Sequence, residues 1–175
     1  FGRQAVFALN HDSEERTTMK KSHLNSERQR ISEARHHDPF SILGRHPESK
    51  EIVVRAFIPC ADNVKIAEGG IALTRIPETD HFEWRGDGRR VPMHYSLIWS
   101  DSHHREHYSR DPYAFAPQIG DLDLHLFAEG RHRHAYNFLG ANEHEVDGIG
   151  GVLFAVWAPN AERVSVVGDF NNWDG

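Results

Sequence analysis

The sequence contains only one cysteine, Cys60, among its 175 residues. A single cysteine cannot form an internal disulfide, and it cannot supply the several thiolates of a zinc cage. Disulfide-stapled secreted scaffolds are therefore excluded as a class. We expect the protein to reside in a reducing, cytoplasmic setting.

Long apolar runs and an excess of positive charge are also missing. The longest apolar run, Val152–Ala158, is far shorter than the roughly 18 residues that a membrane helix needs. The 20 Lys and Arg residues are outnumbered by 26 Asp and Glu residues, giving a net charge of -6. A nucleic-acid-binding protein usually shows a basic face. The composition therefore predicts neither a nucleic-acid partner nor a membrane partner.

Short β-rich runs, separated by Gly, Pro, Asp and Asn, fill the middle of the chain. Many short strands at even spacing favour a sandwich or a barrel over alternating strands and helices. Further on, residues 121–129 mix helical and extended periods, so a helix and an extended segment both stay open, and residues 135–139 predict one helical turn. The predicted strands are Ile52–Ile58, Asn63–Ala67, Ile71–Ile76, His81–Arg85 and Met93–Trp99.

The first 36 residues are polar and rich in charge. Within them, Asn25–Ala34 has the pattern of a short capped helix, with Ile31 as its main apolar residue. A frayed tail is the alternative, because so polar a composition buries little apolar surface. The Asp38-Pro39 step that follows predicts a turn, since proline pushes the preceding residue out of the helical region.

An internal repeat relates two segments at a constant offset of 100 positions. Val54–Ile66 and Phe154–Val166 share proline, alanine and valine at equivalent places, as in Pro59 and Pro159. Each copy predicts a strand, a proline-initiated turn and a second strand, so we expect two related modules. The second stops at Gly175 in mid-pattern, well short of the roughly 100 residues of a β-sandwich, and we expect a fragment.

Three segments could carry chemistry, and each has a simpler interpretation. His103–His107 matches H-x-x-E-H, but it lacks the apolar periodicity of the helix that a zincin needs, so it predicts a solvated loop. Asp121, Asp123 and Glu129 could serve a glycosidase, but capping or solvated roles are simpler. Gly148–Gly151 is followed by a strand rather than a phosphate-binding helix, which indicates a hinge between modules. We expect no catalytic residue, metal or cofactor.

The last predicted turn places an aromatic side chain among polar ones. Trp173 follows Asn171 and Asn172, and an indole can stack on the C–H face of a sugar while amides bind its hydroxyl rim. Alternatively, Trp173 covers the sandwich or packs on a neighbouring domain. Both interpretations stay open on the residues alone.

A set of short motifs follows in a fixed order from residue 37 to residue 175. The motifs are His37–Gly44 with His46, Val54–Pro59, Asp111–Tyr113 with Phe115, Gly120–Leu124 with Gly130–His132, Leu139–Ala141, Asp147-Gly148, Phe154–Ala161 and Trp173–Gly175. This ordered set resembles the N-terminal part of bacterial 1,4-α-glucan (glycogen) branching enzymes. The Asn-Asn-Trp turn is also similar to glycogen-binding modules of debranching enzymes and of the β subunit of AMP-activated protein kinase.

The resemblance implies an all-β fold, with an immunoglobulin-like β-sandwich followed by the truncated start of a second one. It implies α-1,4-glucan (glycogen or amylose) and the catalytic barrel of the same full-length chain as partners, and it carries over Trp173 and Asn172 as substrate-binding residues. A stand-alone glucan-binding or regulatory module is the alternative. The implied domains are a tail with a short helix (1–36), an accessory sandwich (37–130), a connector (131–146) and the start of a family-48 carbohydrate-binding module (147–175).

Overall fold

The computed structural model describes residues 22–169 and 173. The chain forms two compact units, Phe1–Asp111 and Pro112–Gly175. The first unit ends ahead of the boundary at residue 130 that the sequence predicts. Neither of the α-helices in the described part of the chain is long and apolar enough to cross a bilayer.

Seven antiparallel strands build the described part of the first unit, and they lie in the order β1-β2-β5-β4-β3-β6-β7. Consecutive strands are mostly hairpin partners, whereas β2 pairs with β5 across two intervening strands. The strands are β1 (Gly44–Glu48), β2 (Glu51–Phe57), β3 (Ala61–Ile66), β4 (Ile71–Arg75), β5 (His81–Gly86), β6 (Ser96–Asp101) and β7 (Glu106–Arg110).

Strand β4 changes partner along its length and so joins the two halves of the sheet. Its first residues, Ile71–Leu73, pair with β3, whereas Thr74 and Arg75 pair with β5. A strand that switches partners in this way makes a corner between two packed layers. The result is the predicted all-β sandwich, with β1, β2 and β5 on one side and β3, β6 and β7 on the other.

The core is formed by the apolar faces of these strands. In the first layer, Val54 and Ala56 share a face with Phe82, and all three are at most 3% exposed. In the second layer, Val64 and Ile66 alternate with the polar residues of β3 and are fully buried or nearly so. At about 25 cal/mol for each Å² of apolar area buried, this core is the main source of stability.

Five predicted strands are confirmed, as β2 to β6, each shifted by a few residues at most. The sequence analysis did not predict β1 and β7, which are the two edge strands of the sheet. Strand β1 contains Pro47, and proline is tolerated at an edge because its missing N–H needs no partner there. Strand β7 has no buried residue, so it lacks the apolar alternation that identifies a strand.

A helix over residues 22–32, named α1, covers the outer face of β2 and β5. Ile31 and Glu27 lie on its inward side and are both 8% exposed, so the predicted helix is confirmed and the frayed tail is wrong for these residues. The predicted start at Asn25 is wrong, because Asn25 lies within the helix. Ala34 follows the last turn of the helix, and its φ of 54° and the hydrogen bonds there form a Schellman motif. Nε2 of buried His36 lies 2.6 Å from Oε2 of Glu27.

The second unit contains one helix and one hairpin among its described residues. Helix α2 spans Asp121–Ala128, which resolves residues 121–129 in favour of a helix. A 3-10 turn at Ala135–Asn137 confirms the predicted helical turn. Strands β8 (Gly140–Val146) and β9 (Ile149–Ala155) then pair antiparallel. Strand β8 thus lies within the segment that the sequence assigns to a connector.

The predicted hinge at Gly148–Gly151 is wrong. Asp147 and Gly148 form the two-residue turn between β8 and β9, and both have positive φ, as type I′ hairpin turns require. The remaining glycines of the stretch, Gly150 and Gly151, lie within β9.

The repeat is reproduced at its turn but not beyond it. The Ala61 N–H donates to the Ile58 carbonyl at 3.4 Å, and the Ala161 N–H donates to the Ala158 carbonyl at 3.0 Å. In the first copy the chain continues as β3, which is paired on both sides. In the second copy residues 163–167 form no strand, and no neighbouring strand pairs with them in the described part of the second unit.

Candidate functional site

The candidate site is the turn that holds Trp173. Its backbone N–H donates to the Gly168 carbonyl at 2.9 Å, and its indole Nε1–H donates to Asp169 Oδ1 at 2.9 Å. The side chain is 68% exposed. These two contacts fix the edge of the ring and leave much of its apolar face open to solvent, which is the geometry needed to stack on a sugar ring.

The backbone at Trp173 is strained. Its φ is 60°, in the left-handed region that a bulky side chain rarely adopts. Such outliers cost about 1–3 kcal/mol and cluster at ligand-binding sites. Asn172, the second predicted sugar-binding residue, and Asn171 lie outside the described residues. Asp169 is an additional member of the site, because it orients the indole.

A second exposed indole, Trp157, is engaged by its own unit. Its ring contacts Phe127 edge-on, with 5.4 Å between centroids, and Phe127 contacts Phe138 edge-on at 6.0 Å. Strand β9 nearby exposes about half of the side chains of Val152 and Phe154. The second unit therefore exposes apolar side chains on β9 as well as at the Trp173 turn.

The H-x-x-E-H segment is a hairpin, not the helix that a zincin needs. His103 and His104 lie in the turn between β6 and β7, and His107 lies on β7. Asp101 organises this turn, because its Oδ1 accepts from two backbone N–H groups and its Oδ2 lies 3.1 Å from His107 Nε2. Among the described residues, no group of three or more metal-binding side chains is placed to hold a metal.

The three carboxylates considered for glycoside chemistry lie on or beside α2. Asp121 and Asp123 occupy its first turn, where negative charge favours the helix dipole. Asp123 Oδ1 lies 2.8 Å from His132 Nε2, and Glu129 Oε2 lies 3.3 Å from Arg131 Nη1. These contacts favour a structural role at the surface over catalysis, although among the described residues no side chain caps the first turn of α2 by a hydrogen bond.

The sequence analysis missed an ionic network between α1 and the outer face of the sheet. Glu83 Oε2 accepts from Arg28 Nη2 at 2.7 Å and from Arg55 Nε at 3.0 Å. Arg85 donates to Oε1 of Glu83 and to Oε2 of Glu48, both at 2.7 Å, and Arg55 also donates to Glu48. The only signal in the sequence is an arginine in the middle of the apolar strand β2.

The fold and the site together define an accessory β-module, a sandwich followed by a hairpin and an exposed tryptophan turn. The chain belongs to the family described as alpha-1,4-glucan branching enzyme GlgB, N-terminal domain, whose model matches residues 24–113. A second model, carbohydrate-binding module 48 (isoamylase N-terminal domain), matches residues 138–175. That segment includes Trp173. The resemblance drawn from the motifs is confirmed.

Several curated relatives carry the name 1,4-alpha-glucan branching enzyme GlgB. The relative from Cellvibrio japonicus is 52% identical over 168 residues, which cover 89% of this chain and 22% of the relative. The relative from Methylococcus capsulatus is 51% identical over 152 residues, covering 87% and 20%. The one from Pseudomonas putida is 44% identical, covering 83% and 20%. The chain thus spans about a fifth of the length of these relatives.

Proposed function

We propose that this chain is the N-terminal, non-catalytic region of a glycogen branching enzyme. Such an enzyme cleaves an α-1,4-glucan chain and transfers the segment to a 6-hydroxyl, making an α-1,6 branch. The observation that supports this most strongly is the match of residues 24–113 to the N-terminal domain of these enzymes. The identity of about 50% to named branching enzymes adds to it.

The chemistry of branching requires parts that these residues do not supply. Glycosyl transfer with retention needs two carboxyl groups about 5–5.5 Å apart on a rigid scaffold. A (β/α)8 barrel takes about 250 residues, more than the 175 present. We therefore assign no catalytic residue to this chain. Its partner in the reaction is the catalytic barrel of the same full-length protein.

We propose α-1,4-glucan as the ligand of the Trp173 turn. The open indole face supplies the stacking surface, and Asp169 holds the ring in place. Asn172 is the adjacent amide proposed to bind the hydroxyl rim. One aromatic contact, set against the entropy of ordering a flexible glucan, predicts a dissociation constant of about a millimolar at best.

Two further parts of the proposal concern location and domains. The single cysteine means that no disulfide is needed, which supports a cytoplasmic location. The division into 1–36, 37–130, 131–146 and 147–175 stays a prediction. Limited proteolysis, with the cleavage sites identified by mass spectrometry, tests these boundaries against the end of the first unit at Asp111.

An iodine assay tests the non-catalytic assignment. The chain is incubated with amylose, and the absorbance of the iodine complex, which falls as branches form, is followed over time. We expect no fall. A fall at enzyme-like rates that survives repurification would contradict the proposal. Sequencing the encoding DNA past Gly175 separates the alternatives, because a branching enzyme continues into a barrel and a stand-alone module does not.

A further inference from the structure

A cleft of about 870 Å³ lies between α1 and the outer face of β2 and β5. This volume is in the range of pockets that hold small molecules, about 300–1,000 Å³. Polar and apolar groups both line it. Its charged lining residues are the members of the network described above, namely Arg28, Glu48, Arg55, Glu83 and Arg85.

The charges that line this cleft do not balance. Three guanidinium groups face two carboxylates, and among the residues that the structure describes no other ionisable side chain lines the cleft. All four carboxylate oxygens of Glu48 and Glu83 already accept hydrogen bonds from these arginines. One positive charge is therefore left without a carboxylate of its own.

Two of the three guanidinium groups lie where water screens their charge poorly. The side chain of Arg55 is 7% exposed and that of Arg28 is 11% exposed. Burial is the main cause that lowers the pKa of Arg28, and the positive charges of Arg55 and Arg85 lower it further, whereas the carboxylates of Glu83 and Glu48 offset part of the effect. A buried charge is costly unless a counter-charge with good geometry accompanies it.

We propose that this cleft binds a small oxyanion, a phosphate or carboxylate group, either free or carried on a small organic molecule. Guanidinium groups suit this role because their planar N–H donors match two oxygens of such a group at once. Arg85 is the arginine that reaches the ligand most easily, since its side chain is 45% exposed, whereas those of Arg28 and Arg55 are 11% and 7% exposed. Asn25, whose Oδ1 accepts from Nη1 of Arg28 at 3.4 Å, is another polar residue of the lining.

The competing explanation is that the five charges only fasten α1 to the sheet. The two explanations differ in how single charges change anion affinity. If the cleft is a binding site, Arg85→Gln removes a side chain that donates to the anion, and the anion affinity falls. Glu48→Gln removes a carboxylate that competes with the anion for the arginines, and the anion affinity rises. Arg89→Gln is the charge-matched control, because Arg89 is 91% exposed, pairs with Asp87 and does not line the cleft.

Isothermal titration calorimetry of the 175-residue chain at low salt tests the proposal. Inorganic phosphate, acetate and glucose 6-phosphate are the probes, and neutral glucose is the blank. We expect one oxyanion to bind per chain, at least fivefold more weakly in Arg85→Gln, at least threefold more tightly in Glu48→Gln and equally in Arg89→Gln. Tighter binding of glucose 6-phosphate than of phosphate would identify an organic ester as the ligand, and equal binding would identify the free ion.

Three results would overturn the proposal. The first is no heat with any anion, and the second is an equal loss of affinity in Arg85→Gln and Arg89→Gln, which would mean that only net charge matters. The third is an unchanged or reduced affinity in Glu48→Gln. Circular dichroism spectra and melting curves establish that each variant is folded, and Glu48→Gln gives the answer even if Arg85→Gln does not fold.

Discussion

The hydroxyl of Tyr95 donates a 2.5 Å hydrogen bond to Oδ2 of Asp111, and both residues are buried. The backbone N–H of Asp111 returns a hydrogen bond to the carbonyl of Tyr95 at 3.2 Å. Tyr95 immediately precedes β6 and Asp111 immediately follows β7, so the pair closes the base of this hairpin. Asp111 is also the last residue of the first unit.

Removing the hydroxyl of Tyr95 should destabilise the first unit. We expect Tyr95→Phe to lower the free energy of unfolding by about 1–3 kcal/mol, because a buried carboxylate loses a donor. Tyr108→Phe is the matched control: its hydroxyl donates to Ser96 at 2.9 Å, but its side chain is 66% exposed, so its loss should cost less than about 1 kcal/mol. Equal losses in urea unfolding would contradict the account.

The same pair predicts a response to high pH. Burial, and then the charge and hydrogen bond of Asp111, raise the pKa of Tyr95 far above its ordinary value of 10.0. The neutral phenol is thus favoured in the folded state, so its stabilising contribution is complete below pH 10 and is lost as the pH rises above it. Tyrosinate absorbance should show Tyr95 ionising only on unfolding, and this step should vanish in Tyr95→Phe. Ionisation of Tyr95 in the folded chain would contradict the prediction.

His81 predicts a response to acid. Burial lowers its pKa below the ordinary value of 6.5, although its Nε2 donates to the Arg28 carbonyl of α1 at 3.0 Å, which raises the pKa in part. As the pH falls, His81 therefore binds its proton at a higher pH in the unfolded chain than in the folded chain. The free energy of unfolding then decreases as the pH drops below 6.5, by at most about 1.4 kcal/mol per pH unit. His81→Gln keeps a donor but does not titrate, so its unfolding free energy should fall less between pH 7 and pH 5. An identical pH dependence in both proteins would show that His81 is not responsible.

Gly88 marks a close approach between a turn and β2. A Cβ built there would lie 2.4 Å from Cγ1 of Ile52 and 2.9 Å from Nη2 of Arg45. Gly88→Ala should therefore cost about 1–3 kcal/mol of stability through overpacking. Gly151→Ala is the control, because a Cβ at Gly151 meets nothing within 4 Å. Thermal melts of both variants are compared with that of the unchanged chain. If the melt of Gly88→Ala coincides with the other two, the turn accommodates the added methyl group without a loss of stability, which would contradict the prediction.

The central strands could be predicted from the sequence because each alternates apolar and polar residues between turn signals. The edge strands β1 and β7 could not, since β1 contains a proline and four of the five residues of β7 are exposed. The polar segment Glu106–Arg110 becomes a strand because β6 offers it a pairing edge. Such tertiary pairing overrides local preference and leaves little trace in the sequence.

The candidate site was predictable only in part. Trp173 could be singled out because an aromatic among amides suits a sugar, but its hydrogen bond to Asp169 needs the turn geometry. The cleft could not be predicted, since Arg28 and Glu83 are 55 positions apart and meet only after α1 packs on the sheet. Charged residues within strands usually indicate a solvent-exposed face, so these residues did not predict a buried network.

Co-sedimentation with glycogen tests the central claim most directly, namely that this accessory region contacts α-glucan through the Trp173 turn. The bound fraction of the unchanged chain is compared with those of Trp173→Ala and Tyr136→Ala. Tyr136 is the control because it is equally exposed, at 68%, but lies outside the segment matched by the carbohydrate-binding module. We predict binding that is largely lost in Trp173→Ala and retained in Tyr136→Ala. An unchanged bound fraction in Trp173→Ala would contradict the account.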